Sequence, residues 1–418
     1  MHIVFVHRGV FPERIGGTYS YIYELGRRLV AKGHRVRVIA STRDPRAPDP
    51  YQHEGMRIHK YAFRRIHPIL STLQHLARTE QVFGAIHADD PVDVLSIHES
   101  QLGYRLARSR LGRSVCQLPT FHAPAFLEFR FGVKWELEKE RSATRRAMLR
   151  LTAPPFEYMQ RRYETGILEE AYAINVLSEY SRGHIARQFP TVDLDRVHTI
   201  PGGVDVDRFR PTEDRDALRD RLGLAPDTVE LLTVRKLAPR MGLENLIKAM
   251  PRIESATRGY GLHAHLTICG SGALMPVLES LASELDVADA IHLAGRVTDE
   301  ALVEHYQAAD LFVLPTAAME GFGISTVEAL SSNIPVVGTP AGATPEILNA
   351  IDPGLLTRDT SPEAIADAVV TWLGHRDADA GTTRYRDEVL AKYSWDRVAD
   401  MMEEYYAIQL DSFRRMTR

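Results

Sequence analysis

Short apolar runs alternate with amphipathic helical patterns along the whole chain. Residues 2–6 (HIVFV) predict a buried strand, and residues 19–31 place most of their apolar side chains on one face of a helix. Further strands of the first half are predicted at residues 36–40, 94–97, 115–121 and 173–177. This alternation of short strands and helices is typical of parallel α/β architecture.

A change of pattern near the middle of the chain indicates two domains. Residues 200–211 (IPGGVDVDRFRP) are dense in Gly and Pro and have no helical period, as expected of a connection. A second series of strands is predicted at residues 231–234, 265–269, 291–293, 311–314 and 336–337. We therefore expect an N-terminal domain at 1–200, a linker at 201–211 and a C-terminal domain at 212–392. A final helix at 393–418, with Ser394 as its N-cap, is expected to pack back on the N-terminal domain.

Length and composition fit this division. The 418 residues are too many for one hydrophobic core and suit two domains of roughly 200 residues each. Apolar residues make up 44% and charged residues 25%, so an ordinary globular protein is expected rather than a disordered one. With 51 basic and 55 acidic residues, the chain is not expected to bind nucleic acid over its whole surface.

The cysteines and the apolar runs bear on the cell compartment. Cys116 and Cys269 both lie in apolar runs, and two buried thiols suit a reducing cytoplasm better than a disulfide scaffold. The N-terminal apolar stretch is too short for a signal peptide, and no run approaches the ~20 apolar residues that span a bilayer. We expect a soluble, cytoplasmic protein, with weak peripheral membrane contact as an alternative.

The densest chemical signal lies between residues 316 and 346. A predicted strand ends just before it, a loop carries Glu320 and Gly321, and a helix begins near Gly323. Free amides at a helix N-terminus favour a diphosphate, and the glycines let a ligand approach the backbone. Glu328 lies further along the helix, where a carboxylate can accept from the vicinal hydroxyls of a ribose. Ordinary helix-end acids are the alternative, but the Gly-Phe-Gly turn after an apolar strand favours a ligand site.

The segment EGFGISTVEAL, followed by IPVVGTPAGATPEI, resembles the donor-binding signature of the retaining glycosyltransferases of family 4. The resemblance extends over essentially the whole chain. It implies the GT-B fold, in which two Rossmann-like parallel-sheet domains face an interdomain cleft. It also implies that Glu320 contacts hydroxyls of the donor sugar and that Glu328 binds the nucleotide ribose. The backbone donors and close contacts near the sugar and phosphate are then implied at Gly321, Phe322, Gly323 and Ile324.

The cations that would face these acids depart from the family pattern. The segment VRKLAPRMGLENLIKAM resembles one whose arginine and lysine neutralise the diphosphate leaving group. In one register Lys236 takes the arginine position and Met241 the lysine position, and a thioether cannot stabilise departing negative charge. A shift by one residue places Arg235 and Arg240 at the expected spacing instead. We predict that Arg240 acts together with Arg235 or Lys236.

Two more segments resemble parts of the family's donor site. LTICGSG matches a glycine-rich turn after a central strand, with Gly270 and Gly272 near the nucleotide. HLAGRV resembles a stretch whose backbone at Arg296 and Val297 contacts the edge of the base. Outside the family context such a turn is weak evidence, and a strand end with an exposed arginine explains the second segment equally well.

The first half offers a glycine pair and two histidines. Gly16 and Gly17 precede the first helix, but no G-x-G-x-x-G motif is present there, which weighs against an NAD-dependent oxidoreductase. In the family resembled, this Gly-Gly loop approaches the donor phosphate and the acceptor. His122 follows a strand and matches the family's active-site histidine, which contacts the donor sugar or aligns the acceptor. His98 also follows a strand and is a weaker candidate for the acceptor site, whereas Ser178 is predicted to be a helix N-cap.

No metal and no cofactor are expected. The D-x-D triplet at residues 205–207 lies in the predicted linker, and in the family resembled cationic side chains and helix amides take the place of a metal. Residues 134–170 are rich in both Arg and Glu, so a solvated pair of helices is favoured over a surface for a membrane or an anionic acceptor. Residues 41–90 and 123–165 do not indicate which acceptor is used.

These inferences predict a retaining glycosyltransferase that moves a hexose-type sugar from a nucleoside diphosphate sugar to an acceptor hydroxyl. Uridine is favoured as the base, with guanosine and adenosine left open. Catalytic roles are predicted for His122, Glu320, Arg240 and Lys236. The expected partners are the sugar nucleotide and the acceptor, and the oligomeric state is left open. The alternatives are a nucleotide-sugar 2-epimerase of the same fold and a catalytically weak sugar-nucleotide-binding protein, which Met241 favours.

Overall fold

The computed structural model describes residues 1–13, 16–47, 49–64, 68–376 and 382–417, with the backbone alone for residues 68–71. The chain divides into two compact units. The first unit comprises Met1–Val133, Glu140–Gly202 and Trp395–Arg418, and the second comprises Lys134–Lys139 and Gly203–Ser394. Residues 134–139, which were assigned to the N-terminal domain from sequence, thus group with the second unit.

The first unit is built from nine strands and eight helices within the described ranges. Its strands are β1 (His2–Val6), β2 (Arg35–Thr42), β3 (Tyr51–His53), β4 (Met56–Ala62), β5 (Val94–Ile97), β6 (Cys116–Gln117), β7 (Thr120–Phe121), β8 (Ile174–Val176) and β9 (Val197–Thr199). The helices are α1 (Gly17–Ala31), α2 (Pro68–Asp89), α3 (Ser100–Arg108), α4 (Arg110–Arg113), α5 (Ala125–Lys139, of which 134–139 group with the second unit), α6 (Ala143–Glu170), α7 (Glu179–Gln188) and, at the end of the chain, α16 (Trp395–Thr417).

The main sheet of this unit has the strand order β3-β4-β2-β1-β5-β6 and is parallel except for β3. All five residues of β1 are buried, as expected for a central strand that is covered on both faces. The pair β3 and β4 was not predicted, although β4 buries Met56, Ile58 and Tyr61. The polar residues between these positions weaken the apolar run, which is why the segment did not stand out in the sequence.

A smaller parallel sheet, with the order β7-β8-β9, completes the first unit. The single strand predicted at residues 115–121 is in fact two short strands, with Leu118 and Pro119 between them. Pro119 has no amide hydrogen to donate to a neighbouring strand. At this point the pairing partner of the chain changes, because β6 pairs with β5 and β7 pairs with β8. Ser178 caps α7 by accepting from the amide of Ser181 at 3.1 Å, which confirms its prediction as an N-cap.

The last helix belongs to the first unit and packs on its N-terminal helix. Trp395 of α16 lies edge-on to Tyr21 of α1, with ring centroids 5.3 Å apart. On the outer side, Lys32 forms ion pairs with Asp400 and Glu403. Apolar burial at residues such as Val398 and Met402 holds the helix in place, because exposed ion pairs add little to stability.

The second unit contains five strands and eight helices in its described part, not counting the end of α5. The strands are β10 (Thr228–Val234), β11 (His263–Cys269), β12 (Ile291–Gly295), β13 (Leu311–Leu314) and β14 (Val336–Gly338). The helices are α8 (Arg215–Arg221), α9 (Leu243–Arg258), α10 (Met275–Glu284), α11 (Asp299–Ala308), α12 (Ile324–Ser331), α13 (Thr344–Ile351), α14 (Pro362–His375) and α15 (Arg384–Lys392).

These five strands form one parallel sheet with the order β12-β11-β10-β13-β14. The order reverses at β10, so the carboxyl ends of β10 and β13 flank a topological switch point, where open α/β sheets bind their ligands. Arg235 directly follows β10, and Thr316 lies two residues beyond β13. Parallel α/β architecture, predicted from the alternation of patterns, is confirmed in both units.

Candidate functional site

A buried ion pair lies at the switch point of the second unit. Arg235 is 8% exposed, and its Nη2 donates to Oε2 of Glu320 at 2.5 Å. The hydroxyl of Thr316 donates to the same carboxylate oxygen at 3.1 Å. Burial alone would raise the pKa of Glu320, but the charge and hydrogen bond of Arg235 hold this pKa below its ordinary value. The Glu320 carboxylate is therefore charged at neutral pH.

Met241 is the second partner of the Arg235 guanidinium. Its sulfur accepts from Nε of Arg235 at 3.3 Å and from Nη2 at 3.0 Å, and a thioether is a weak acceptor. Nη1 of Arg235 is buried and has no hydrogen-bond partner in the part of the chain that the structure describes. A buried charged donor without an acceptor is costly, so the site is suited to an anionic ligand oxygen.

The other two candidate cations differ in their position. Arg240 is half-buried, donates from Nη1 to the carbonyl of Met319 at 3.2 Å, and its charge contributes to the lowered pKa of Glu320. Lys236 is exposed, and its side chain makes no ion pair or hydrogen bond within the described ranges. The structure therefore brings Arg235 and Arg240 together around Glu320 and leaves Lys236 apart from them.

Glycines allow the loops to approach this pair closely. A Cβ on Gly270, whose φ is +152°, would lie 1.7 Å from the carbonyl oxygen of Arg235. A Cβ on Gly342, whose φ is +68°, would lie 2.1 Å from the carbonyl oxygen of Glu320. Gly272 packs in the same way against the backbone of residue 237. Any larger residue at Gly270 or Gly342 would displace the backbone that carries the ion pair.

Helix α12 begins beside Glu320 and carries the second acid. Gly323 precedes it in the left-handed region, with φ +97°, and the first amides of the helix have no intrahelical partner. Glu328 accepts a hydrogen bond from the hydroxyl of Tyr306 at 2.8 Å. Burial raises the pKa of Glu328 to about 7, so this carboxyl gains and loses its proton near neutral pH. The remaining loop residues are the buried Phe322, whose ring packs on Tyr393, and the partly buried Gly321 and Ile324.

Other predicted positions of the second unit lie outside this cluster. Arg296 is exposed and Val297 is half-buried, both directly after β12, and no hydrogen bond within the described residues joins them to Arg235 or Glu320. In the D-x-D triplet, the Asp205 carboxylate accepts from the amides of Asp207 at 3.2 Å and Arg208 at 3.1 Å. This triplet therefore stabilises a turn.

Three residues of the cluster were not predicted from the sequence, namely Thr316, Tyr306 and Gly342. Thr316 begins the 316–346 stretch, and Gly342 lies in the PAGAT segment of that stretch. Tyr306 has a weaker signal, because a lone tyrosine in α11 predicts burial but not a hydroxyl directed at Glu328. Met319, next to Glu320, has a φ of +60°, which is unusual for a residue with a side chain and marks a constrained loop.

The first unit brings its two candidate histidines into contact. Nδ1 of His98 and Nε2 of His122 are 2.9 Å apart. Burial lowers the pKa of His122 to about 3 and that of His98 well below its usual value, so both rings are neutral. Gly16 precedes α1 and Gly17 opens it, and one helical turn later the ring of Tyr21 lies edge-on to His122 at a centroid distance of 5.0 Å.

Two features are absent from the described residues. Among the helices in these ranges, none is long and apolar enough to cross a bilayer. No group of three or more His, Cys, Asp or Glu side chains in the same ranges is arranged to hold a metal ion.

Comparison with solved structures shows the fold, and family models show the class of protein. Sucrose-phosphate synthase from Thermosynechococcus elongatus superposes with a TM-score of 0.80 at 23% identity, covering 98% of this chain and 99% of that one. The likeness shows the GT-B glycosyltransferase fold, as predicted. The family model for glycosyl transferases group 1 matches residues 214–385, and the model for Glycosyltransferase Family 4 matches residues 15–208. The chain therefore belongs to glycosyltransferase family 4.

Two relatives show how far the similarity reaches. A GDP-mannose-dependent alpha-(1-6)-phosphatidylinositol monomannoside mannosyltransferase of Mycobacterium tuberculosis is 33% identical over 243 residues. This match covers 56% of the chain and only 60% of the relative's length. A glycosyltransferase of Methanocaldococcus jannaschii that is described as uncharacterized, MJ1607, is 26% identical over 412 residues, which are 97% of each protein.

Proposed function

We propose that this protein transfers a hexose-type sugar from a nucleoside diphosphate sugar to an acceptor hydroxyl, with retention of configuration at the anomeric carbon. The observation that carries the proposal is the Arg235 guanidinium, which is buried, paired with Glu320 and left with an unpartnered Nη1. A diphosphate oxygen is the acceptor that this donor lacks, because guanidinium groups bind phosphate oxygens through directed pairs of N–H groups.

The donor is held in this proposal by groups that differ in chemistry. Arg235, Arg240 and the first amides of α12 contact the diphosphate, since both cations and a helix N-terminus stabilise negative charge. The charged Glu320 accepts from sugar hydroxyls, and Glu328 accepts from the ribose. Gly270 and Gly272 leave room for the nucleotide beside β11, and the backbone at Arg296 and Val297 contacts the base.

The reaction is a same-face displacement. The bond between the anomeric carbon and the diphosphate oxygen breaks, and the acceptor oxygen forms a bond to that carbon on the same face. The acceptor's proton passes to the leaving diphosphate oxygen, so the products are the glycoside and the protonated nucleoside diphosphate. Positive charge and fixed dipoles at the leaving group supply most of the rate enhancement in this scheme. Cationic side chains take the place of a metal, so a chelator should leave turnover unchanged.

Two considerations bear on the identity of the donor, and they disagree. The family resemblance favours uridine as the base, whereas the relative of Mycobacterium tuberculosis is named for its dependence on GDP-mannose. GDP-mannose is therefore the first donor to test, with UDP-glucose and UDP-N-acetylglucosamine beside it. The acceptor is proposed only as a hydroxyl compound.

A donor screen tests the proposal. The purified protein is incubated with each sugar nucleotide and a panel of polyol, glycoside and glycolipid acceptors, and release of the nucleoside diphosphate is measured. Acceptor-dependent release that is lost in Glu320→Ala would support the transferase. Unchanged turnover in Glu320→Ala would show that the donor site is wrongly assigned.

Two other outcomes would overturn it in favour of a different function. Epimerised donor without nucleotide release would indicate a 2-epimerase. Tight nucleotide binding without release from any donor would indicate a binding protein, a candidate that is favoured by Met241, which takes the family's lysine position in one of the two registers.

A further inference from the structure

Four polar side chains of the first unit form a continuous hydrogen-bonded chain that ends at His122. The Tyr406 hydroxyl of α16 donates to Oγ of Ser96 in β5 at 3.3 Å. Ser96 Oγ lies 3.2 Å from Nε2 of His98, and Nδ1 of His98 lies 2.9 Å from Nε2 of His122. Ser96 and Tyr406 are fully buried, and His98 is 9% exposed, so these groups satisfy one another rather than water.

The number of protons on the Ser96 hydroxyl determines the donor and the acceptor of each of these hydrogen bonds. A hydroxyl has one proton to donate and can accept two hydrogen bonds. Ser96 donates its proton to the carbonyl of Leu118 at 2.8 Å, because a carbonyl can only accept. Leu118 is fully buried, and without Ser96 its carbonyl would lose this partner, at a cost of about 1–3 kcal/mol. Nε2 of His98 must therefore carry the hydrogen and donate it to Ser96.

The same reasoning determines which nitrogen of His122 carries the hydrogen. Because His98 is neutral, a hydrogen on Nε2 leaves Nδ1 as a bare acceptor. The 2.9 Å contact is a hydrogen bond only if Nε2 of His122 donates, which leaves the neutral His122 with a bare Nδ1. Within the described residues, Nδ1 of His122 has no hydrogen-bond partner.

We infer that Ser96 and His98 lock His122 in the tautomer with hydrogen on Nε2, so that Nδ1 presents a lone pair to a substrate hydroxyl. Ser96 and His98 are positioning residues, and Tyr406 completes the hydrogen bonding of Ser96. Packing assists this, because two aromatic rings contact the imidazole of His98: the ring centroids of Phe5 and Tyr21 lie 5.2 and 5.8 Å from that of His98. The inference rests on the proposed function for the substrate, but the tautomer itself is independent of any activity.

Nitrogen-15 NMR of histidine-labelled protein without substrate tests the tautomer directly. The chain has 17 histidines, so the signals of His98 and His122 are assigned by their loss in His98→Asn and His122→Asn. Both rings should show a pyridine-like Nδ1 and a pyrrole-like Nε2, unchanged between pH 6 and pH 8. A pyrrole-like Nδ1 on His122, or two protonated nitrogens on either ring at pH 6, would overturn the inference.

Ser96→Ala should disturb the tautomer. Its His98 loses the acceptor for Nε2, and the His122 signals should move towards a mixture of tautomers. Ser41→Ala, at another buried serine of the same sheet, should leave both rings as in the wild type. If Ser96→Ala retained the wild-type signals of His122, Ser96 would have no positioning role. Should Ser96→Ala fail to fold, the wild-type spectrum alone still decides the tautomer.

A pair of substitutions at His98 separates positioning from packing. Asn keeps an acceptor oxygen near the place of Nδ1, whereas Phe keeps a ring but offers no acceptor. With the donor found in the screen, kcat should be about tenfold higher for His98→Asn than for His98→Phe, since one hydrogen bond to a catalytic group is at stake. Equal or reversed rates would mean that His98 acts through packing. If the tautomer were as inferred but no donor were turned over, the proposed function alone would fail.

Discussion

Arg235 donates to the carboxylate of Glu320 at 2.5 Å and at the same time to the sulfur of Met241 at 3.0 Å. Nη2 of Arg235 is therefore bound to both a strong and a weak acceptor, while Nη1 has no partner in the described residues. The charges of Arg235 and Glu320 balance each other without a ligand, because one cation meets one carboxylate. A diphosphate that approaches Nη1 consequently needs further positive charge, and Arg240, whose charge contributes to the lowered pKa of Glu320, is the candidate.

Arg235→Lys is expected to lower kcat/KM for the donor about 100-fold, because a single ammonium cannot contact Glu320 and the diphosphate in the geometry of a guanidinium. Steady-state assays of nucleotide release measure the effect. Arg252→Lys, at an exposed arginine of α9 in the same unit, is the matched control and should be unchanged. A fall of less than threefold in Arg235→Lys would remove Arg235 from the donor site.

Substitution of the two remaining cations should separate their roles. Arg240→Met is expected to lower kcat at least about tenfold, because the half-buried Arg240 lies close enough to Glu320 to affect its pKa. Lys236→Met should have a smaller effect, since Lys236 is exposed. The exposed Lys248 of α9 offers a control variant, Lys248→Met. The reverse order of effects would support the other sequence register, with Lys236 as the cation that acts.

The pH dependence of kcat/KM should report the ionisation of Glu328. Its pKa of about 7 means that the carboxyl is neutral below this pH and accepts ribose hydroxyls poorly. We expect kcat/KM to rise with pH by about tenfold per unit below pH 7 and to level off above it. Tyr306→Phe should move the inflection to higher pH, because the Tyr306 hydroxyl donates to the carboxylate and favours its charged form.

Glu328→Gln identifies the group that titrates. Its side chain does not ionise, so the profile should lose the inflection near pH 7 and keep a reduced plateau. Glu300→Gln, at an exposed acid of α11, should retain the wild-type profile. An inflection that persists in Glu328→Gln would assign it to another group.

Glu164 should make the protein less stable as the pH rises. This carboxyl of α6 is 5% exposed, accepts from the amide of Ala125 at 2.6 Å, and its other oxygen has no partner in the described residues. Burial, with the charges of Glu99 and Glu128, raises its pKa to about 8. An unfolded glutamate ionises near pH ~4.3, so the folded state binds the extra proton between these values and stability falls from about pH 4.3 to pH 8.

Urea denaturation between pH 5 and pH 9 measures this contribution. Glu164→Gln keeps an acceptor for the Ala125 amide and cannot ionise, so it should be more stable than the wild type at pH 9, by an amount on the order of a few kcal/mol. At pH 5 the two proteins should be nearly equal. Glu169→Gln, at an exposed position of the same helix, should follow the wild type at every pH. Parallel curves for Glu164→Gln and the wild type would refute the raised pKa.

Local patterns in the sequence were sufficient to predict most of the strands and helices and to single out Glu320 and Glu328. Strands such as residues 94–97 and 311–314 were predicted with the bounds that the structure shows, because an unbroken apolar run between turn residues is a local property. Glu320, Gly323 and Glu328 stand out for a similar reason, since a strand end, a glycine turn and a helix start follow one another within a few residues. The strands β3 and β4 lack such an unbroken run and were missed.

Tertiary structure decided which side chains meet. Arg235 and Lys236 are neighbours at a strand end, where successive side chains point in opposite directions, so only one of them can face Glu320, and the structure shows that it is Arg235. No local pattern reveals that Tyr306 donates to Glu328, or that Ser96 reaches a histidine whose partner is 24 residues further along. Sequence by itself indicated most of the elements and the acids Glu320 and Glu328. The pairing of each acid with its cation or hydroxyl, and the tautomer of His122, depend on contacts between segments that are distant in the chain.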